Sequence, residues 1–397
     1  MSIIVLGADG YLGWALTSHL AMTVKEPILA VDDLSKRRRV AASGHESAIP
    51  VLPFNERIRQ LRRVTGRRDV AGIEAGVVDC VDELVRGTRP RAVVHLAQIP
   101  SAPFSMQSFA AARETLENNE VGNLAVLFAL RDRSPETHLV KMGSMGEYAQ
   151  CGVSLGEGYV EATLDGEETC RPVPFPREAD DVYHITKIND TNFLSMACRV
   201  WGLASTDVMQ SVVYGVSTPL SREHPQLATR FDCDPVFGSV LNRFVAQAVR
   251  GTPLTVHAGG TASTGLIALQ DTIAALSYWI EHPAAAGEHR VINQAVETRT
   301  TVLEIAHLVQ RLAAERGIEV ELCHKLDPRH ELERPSRGGP ARNLRLRQTG
   351  IPTLKLEDGV RQLMDDLLSC GESLAGASTL PMVDWKAGAA HELEVVL

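Results

Sequence analysis

Tyr183 and Lys187 stand four residues apart in Tyr183-His184-Ile185-Thr186-Lys187. On a helix that spacing puts both on one face. An ammonium beside a phenol favours the phenolate and lowers its pKa toward neutrality. Tyr183 would then serve as an acid/base that takes a proton from a sugar hydroxyl. Ser144 closes an apolar stretch upstream and offers a hydroxyl to the reacting oxygen. Tyr-x-x-x-Lys by itself is common by chance. Its weight comes from a second feature about 170 residues earlier, Gly7-Ala8-Asp9-Gly10-Tyr11-Leu12-Gly13. Glycines so placed permit a tight turn, close approach of backbone to a pyrophosphate and close helix–strand packing. Asp32 follows the last of them by 19 residues. A carboxylate there accepts both ribose hydroxyls of NAD and repels the 2′-phosphate of NADP, so NAD is the cofactor expected.

These residues need elements to hold them. Ile3-Ile4-Val5-Leu6 reads as a buried parallel strand, and Leu12, Ala15, Leu16 and Leu20 as one face of a helix. Ile28 to Val31 is a second strand, closed by Asp32 and Asp33. The alternation continues with strands at 91–96, 138–142 and 204–208 and helices at 107–131 and 183–201. Such alternation predicts an α/β fold, a doubly wound Rossmann sheet with helices on both faces. Residues 1–215 are expected to form the NAD-binding domain, with a basic insertion at about 35–68. Residues 216–397 are expected to form mainly a smaller α/β substrate lobe, with helices near 236–249, 271–281, 301–315 and 357–369. The stretch from Gly146 to Asp181 is long for a loop and is expected to hold a hairpin or a function.

Composition narrows the partners. The 397 residues carry 49 acidic against 40 basic side chains, a net charge of −9, the wrong sign for a nucleic-acid binder. The run Lys36-Arg37-Arg38-Arg39 lacks interleaved aromatics and reads as a solvated face, with Lys36 or Arg37 flanking the cofactor. No apolar run reaches the roughly 18 residues of a membrane span. No basic leader is visible at the start. The seven cysteines are scattered without a Cys-x-x-Cys pair, so reduced thiols, no metal site and a cytoplasmic location are expected.

Glycine motif, Ser144 and Tyr183/Lys187 together resemble the extended short-chain dehydrogenase/reductase superfamily, which modifies nucleotide sugars. The likeness narrows to the UDP-sulfoquinovose synthase family through Ser101-Ala102-Pro103-Phe104-Ser105-Met106, Gly143-Ser144-Met145-Gly146-Glu147-Tyr148 and Gln210-Ser211-Val212-Val213-Tyr214-Gly215. Val236-Phe237-Gly238, Leu241-Asn242-Arg243-Phe244 and Asp327-Pro328-Arg329 continue it. The resemblance implies transient oxidation of a sugar carbon, proton loss beside the ketone, and return of the hydride. It assigns Tyr183, Lys187, Ser144 and Glu147 as catalytic residues. It puts Gly7, Asp9, Gly10, Tyr11, Leu12, Gly13, Asp32, Asp33, Lys36, Asp79, Ala97 and Asn119 at the cofactor, together with Tyr183 and Lys187. Met145, His184, Gln210, Arg243 and Arg329 are assigned to the sugar nucleotide, and a homodimer is implied.

The departures bear on substrate. That family has Glu-Gln-Arg where this chain has Gln98-Ile99-Pro100, and an arginine where this chain has Thr264. The redox residues stand beside altered sugar and nucleotide pockets. The expectation is an NAD-dependent epimerase/dehydratase acting on an unusual nucleotide sugar, GDP-linked or octose-like, as in antibiotic biosynthesis. The alternatives are a UDP-sulfoquinovose synthase and a non-catalytic NAD sensor.

Overall fold

The computed structural model of the chain describes residues 1–257, 259–325 and 339–374. Seven parallel strands form the central sheet. They are β1 (Ile3–Leu6), β2 (Ile28–Asp32), β3 (Val70–Glu74), β4 (Ala92–His95), β5 (His138–Ser144), β6 (Ala204–Gln210) and β7 (His289–Gln294). Their spatial order is β7-β6-β5-β4-β1-β2-β3. All four side chains of β1 are fully buried, because helices cover both faces of a parallel sheet. The order reverses between β1 and β4, and the crevice beyond the carboxyl ends of strands at such a point is where ligands bind. This is the doubly wound sheet expected.

Helix α1 (Tyr11–Thr23) follows β1 at once, and α2 (Val182–Trp201) carries the Tyr183/Lys187 pair. The helix expected at 107–131 runs from Phe109 to Arg133, but Glu117–Val121 forms a wider π-turn within it. Such widened turns recur at functional sites, and this one aims Asn119 at the cleft floor. The excursion after β5 does hold hairpins: Tyr159–Val160 pairs with Val173–Pro174, and Thr163–Leu164 with Glu167–Glu168.

The expected cut at residue 215 does not follow the chain's path. After entering the second lobe, the chain returns with a helix at Leu269–Glu281, which packs on α1, and with β7, which completes the sheet. The second lobe proper is built on helices Val240–Val249, Val302–Ala314 and Leu356–Ser369 around Phe244, Val245, Ile305, Val309, Leu363 and Met364.

The basic insertion is partly buried. It forms helices Ser35–Ala42 and Phe54–Thr65. Arg57 is fully buried, 4.0 Å over the Trp14 ring, and donates to the Asp9 carboxylate (2.8 Å) and the Ala228 carbonyl (3.0 Å). Desolvation of a guanidinium is tolerated when charge and hydrogen bonds are matched in this way. Among the described residues no helix is long and apolar enough to cross a membrane, and no cluster suited to a metal ion occurs.

Candidate active site

One cleft of about 760 Å³ opens at the switch point. Its cofactor wall begins at Gly7, whose φ of +83° ends β1 in the left-handed region. A Cβ there would lie 2.7 Å from the Ala97 nitrogen, and one at Gly13 would lie 1.9 Å from the Gly7 carbonyl oxygen. Only glycine allows strand, turn and helix to approach this closely. The N–H groups of the first turn of α1 have no acceptor within the helix and face the cleft as an anion site. Asp32 ends β2 in the same wall; its Oδ2 accepts from the Asp9 N–H (2.9 Å) and its Oδ1 from the Leu34 N–H (2.7 Å). Burial pushes its carboxyl up to about 6. Gly10, Tyr11, Leu12, Asp33, Lys36, Asp79 and Ala97 also line the cleft. A glycine cradle too tight for any Cβ, a helix N-terminus facing the cleft and a carboxylate at the end of β2 fit NAD.

Two assignments on this wall change, and Lys36 has a second role. The Asp9 side chain does not line the cleft: Arg37 (2.6 Å) and Arg57 (2.8 Å) hold it from behind, so its carboxylate braces the turn. Asn119 is buried below the floor, accepts from the Ile99 N–H (2.8 Å) and donates to Thr186 (3.0 Å). It shapes the floor and does not line it. Lys36 crosses to the other lobe, 3.4 Å from Asp232 and 3.3 Å over the Phe237 ring, and burial pushes it down to about 8.

Tyr183 sits in the first turn of α2, which Asp181 caps by accepting from the His184 N–H (2.8 Å). Lys187, one turn on, lies 5.7 Å from the centre of the Tyr183 ring. Its ammonium donates to the Met142 carbonyl (2.7 Å) and to Gln98 Oε1. Ser144, at the end of β5, hydrogen-bonds the Tyr183 hydroxyl. The expected lowering of the Tyr183 pKa is not found in the protein alone. Burial raises it, the Glu147 and Asp181 carboxylates add to that, and the Ser144 hydrogen bond pulls back. The cause is desolvation, which disfavours the phenolate and the lysine's charge alike. A positive charge bound against the pair would lower both.

Glu147 is also reassigned. It is fully buried and does not line the cleft. Its Oε1 accepts from the Ser144 N–H (2.8 Å), and its Oε2 meets Arg177 and the Thr191 hydroxyl (3.0 Å). Enclosed in this way it holds Ser144 in place and does not face the cleft. Arg177 carried no sequence signal, because its partner is set by the fold of the excursion.

At the sugar end the lining includes Met145, Gly146, His184, Gln210 and Thr264, with an apolar wall of Ile99, Pro100, Pro103, Val236 and Phe237. His184 Nδ1 lies 2.7 Å from Asp181 Oδ2, and a Cβ at Gly146 would come within 2.3 Å of its Nε2. The imidazole therefore presents Nε2 at Gly146, against the cleft. Among the described residues the lysines and arginines lining the whole cleft are Lys36, Arg39 and Lys187. Arg39 is held by Glu114 (2.7 Å) and Ser35 (2.8 Å). Arg243 lies behind the lining residues Ser239 and Asn242; its Nε and Nη1 are buried with no hydrogen-bond partner among the described residues. Burial pushes it down to about 10. Arg329 lies outside the described residues.

The chain belongs to the NAD dependent epimerase/dehydratase family, whose model matches residues 3–295. It is an NAD-dependent nucleotide-sugar enzyme of the extended short-chain dehydrogenase/reductase type. It is 35% identical over 393 residues to a chloroplastic UDP-sulfoquinovose synthase of Spinacia oleracea, covering 97% of this chain and 79% of the other. It is 38% identical over 371 residues to a UDP-sulfoquinovose synthase of Sulfolobus acidocaldarius, covering 93% of each. In fold it resembles UDP-glucose 4-epimerase of Thermotoga maritima with UDP-glucose (TM-score 0.65, 18% identity, 93% of this chain and 99% of that one). It also resembles UDP-glucuronic acid 4-epimerase of Bacillus cereus with UDP-glucuronic acid and NAD (TM-score 0.65, 15% identity, 92% and 98%).

Proposed function

We propose that the enzyme oxidises one hydroxyl of a nucleotide-linked sugar, removes a proton from the carbon beside the new ketone, and restores the alcohol, with epimerisation, dehydration or both as the net result. Bound NAD supplies the hydride acceptor and later the donor. Tyr183 takes the hydroxyl proton, with Ser144 hydrogen-bonding the same oxygen. Lys187 holds the nicotinamide ribose. A ketone acidifies the neighbouring C–H, and the group at the sugar end able to receive that proton is His184 Nε2, since Glu147 is enclosed and Asp181 orients the imidazole. The cofactor is recycled within each turnover, so it is held tightly.

The observation that carries the substrate reading is the wall of the sugar end. Pro100 and Thr264 line the cleft at the two positions where the sulfoquinovose synthase pattern carries arginine. An anion such as sulfite needs a cation there, and the apolar wall supplies none. The reading therefore favours an uncharged, unusual sugar, GDP-linked or otherwise, with an antibiotic-pathway octose within its range. A second reading, UDP-sulfoquinovose synthesis, is favoured by 35% and 38% identity over nearly the whole chain. In both readings the unpaired Arg243 guanidinium edge is the diphosphate's nearest buried cation. Incubation with UDP-glucose and sulfite, then with GDP- and dTDP-sugars, followed by mass analysis, separates them. Water loss, or deuterium uptake at constant composition, from a sugar other than UDP-glucose supports the first reading. Efficient sulfonation of UDP-glucose refutes it.

The homodimer belongs to the same proposal. Phe109, Leu116, Val121, Phe128, Ile185 and Val200 leave an exposed apolar face on the Phe109–Arg133 segment and α2, which pack together. A second copy would cover it. Sedimentation as a monomer at micromolar concentration refutes this part.

A further inference from the structure

Beneath the reacting centre lies a set of buried charges that the proposed reaction does not use. Gln98 Nε2 donates to Asp190 Oδ2 (2.5 Å), and the same oxygen lies 3.2 Å from the Lys141 ammonium. Lys141 and Asp190 are both fully buried. A carboxylate can only accept, so the Gln98 amide sits one way round, with Oε1 turned to the Lys187 ammonium. Lys187 thus touches two neutral oxygens, those of Gln98 and Met142, and meets the Asp190 carboxylate through an amide.

The rest of the surroundings is equally buried. Lys141 faces Asp190, Asp207 and Glu147. Glu147 pairs with Arg177, and Asp207 with Thr191 (2.6 Å) and His289 (3.5 Å). From β4, His95 faces Lys187, and burial pushes it down to about 3, so it stays neutral. Lys141, Lys187 and Arg177 stand against Asp190, Asp207 and Glu147, so the buried charges balance. Burial pushes Lys187 below the usual lysine range, and Lys141 adds to this. Asp190 pulls back first, then Glu147 and Asp207.

We propose that Gln98, Asp190 and Lys141 are positioning residues for Lys187: Gln98 anchors its ammonium and links it to the Asp190 carboxylate, while Lys141 opposes that carboxylate, and the opposition sets the pH range over which Lys187 holds the cofactor. The inference rests on the placement of Lys187 at the nicotinamide ribose. The geometry makes the two neighbours act with opposite sign. Removing the Asp190 charge favours loss of the Lys187 proton; removing the Lys141 charge favours its retention. Damage to packing alone would move both variants the same way.

The test is NAD retention by the purified holoenzyme across the neutral and alkaline range, read as nucleotide recovered after desalting. Wild-type protein is expected to release NAD faster as pH rises through the titration of Lys187, and Lys187→Met to lose that limb. Asp190→Asn is expected to shift its midpoint down by about one unit or more, Lys141→Met to shift it up, and Lys141→Arg to leave it in place. Gln98→Leu is expected to shift it down and to lower kcat. If Lys141→Met does not fold, the isosteric Asp190→Asn decides with Gln98→Leu: both must lower the midpoint, and the double variant must fall short of their sum. Shifts of one sign for Asp190→Asn and Lys141→Met, or none, overturn the proposal. A limb that survives Lys187→Met overturns both the proposal and the placement of Lys187 at the ribose.

Discussion

At the cofactor end of the cleft, two glycines with no room for a Cβ, a helix N-terminus and the Asp32 carboxylate form the wall; at the sugar end the wall is Ile99, Pro100, Pro103, Val236 and Phe237 with His184. The first end is braced by buried charge. Arg57 and Arg37 hold Asp9, Arg177 and Glu147 hold Ser144, and Gln98 and Asp190 stand behind Lys187. The second rests mainly on rings: Phe237 stacks on Phe104 at 5.7 Å and carries the Lys36 ammonium 3.3 Å over its ring. The difference follows from what each end must do. A pyrophosphate, a ribose and a moving proton have fixed charges and fixed hydrogen-bond geometry. A sugar pocket can be recut by a few side chains without disturbing the frame.

Substitutions at the two ends should therefore fail differently. The largest expected effect is Tyr183→Phe, which should reduce turnover roughly 100- to 10,000-fold while NAD still copurifies with the protein. Next is Arg177→Met, which breaks an ion pair whose Glu147 partner is fully buried. Denaturant unfolding should show a loss of about 3–5 kcal/mol. A change at Pro100, where no charge is buried, should leave the unfolding midpoint almost unmoved.

Asp32→Asn comes third. Losing a charged acceptor should weaken NAD binding by about 1.5–3 kcal/mol, measured by calorimetry. In the wild type the Asp32 carboxyl titrates near 6, raised by burial. It is ionised above that pH and protonated below it, so NAD affinity should fall as pH drops through about 6. Asp32→Asn should lack that acid limb. An acid limb that persists in the variant assigns it to another group. The smallest effect is expected from Pro100→Arg, which adds a cation to the apolar end. Turnover should become a few-fold more sensitive to inhibition by added sulfite, with no change in NAD binding. Insensitivity would place residue 100 away from the sugar.

Much of the cofactor end was legible in residue order. Glycine spacing, the strand before it and the acid after it are local features, and β1, β2 and α1 appear where the apolar periodicity places them. Tyr183 and Lys187 share a helix face as i, i+4 spacing dictates. The same spacing rule could have marked Asp190, three residues beyond Lys187. Illegible were the pairings across long separations. Asp9 looked like a cofactor contact until Arg57, from the basic insertion, was found buried against it. Glu147 looked like an acid/base until Arg177 enclosed it.

From its order of residues alone, the chain determined an α/β architecture, an NAD-type cradle and a Tyr/Lys pair, because backbone conformation and helical periodicity act between near neighbours. Tertiary structure decided which charged groups are enclosed and which face the cleft. That choice depends on desolvation and on partners brought together from distant segments: Arg57 to Asp9, Arg177 to Glu147, and Lys141 through Asp190 and Gln98 to Lys187. A carboxylate's chemistry is set by what surrounds it, and those surroundings exist only once the chain has folded.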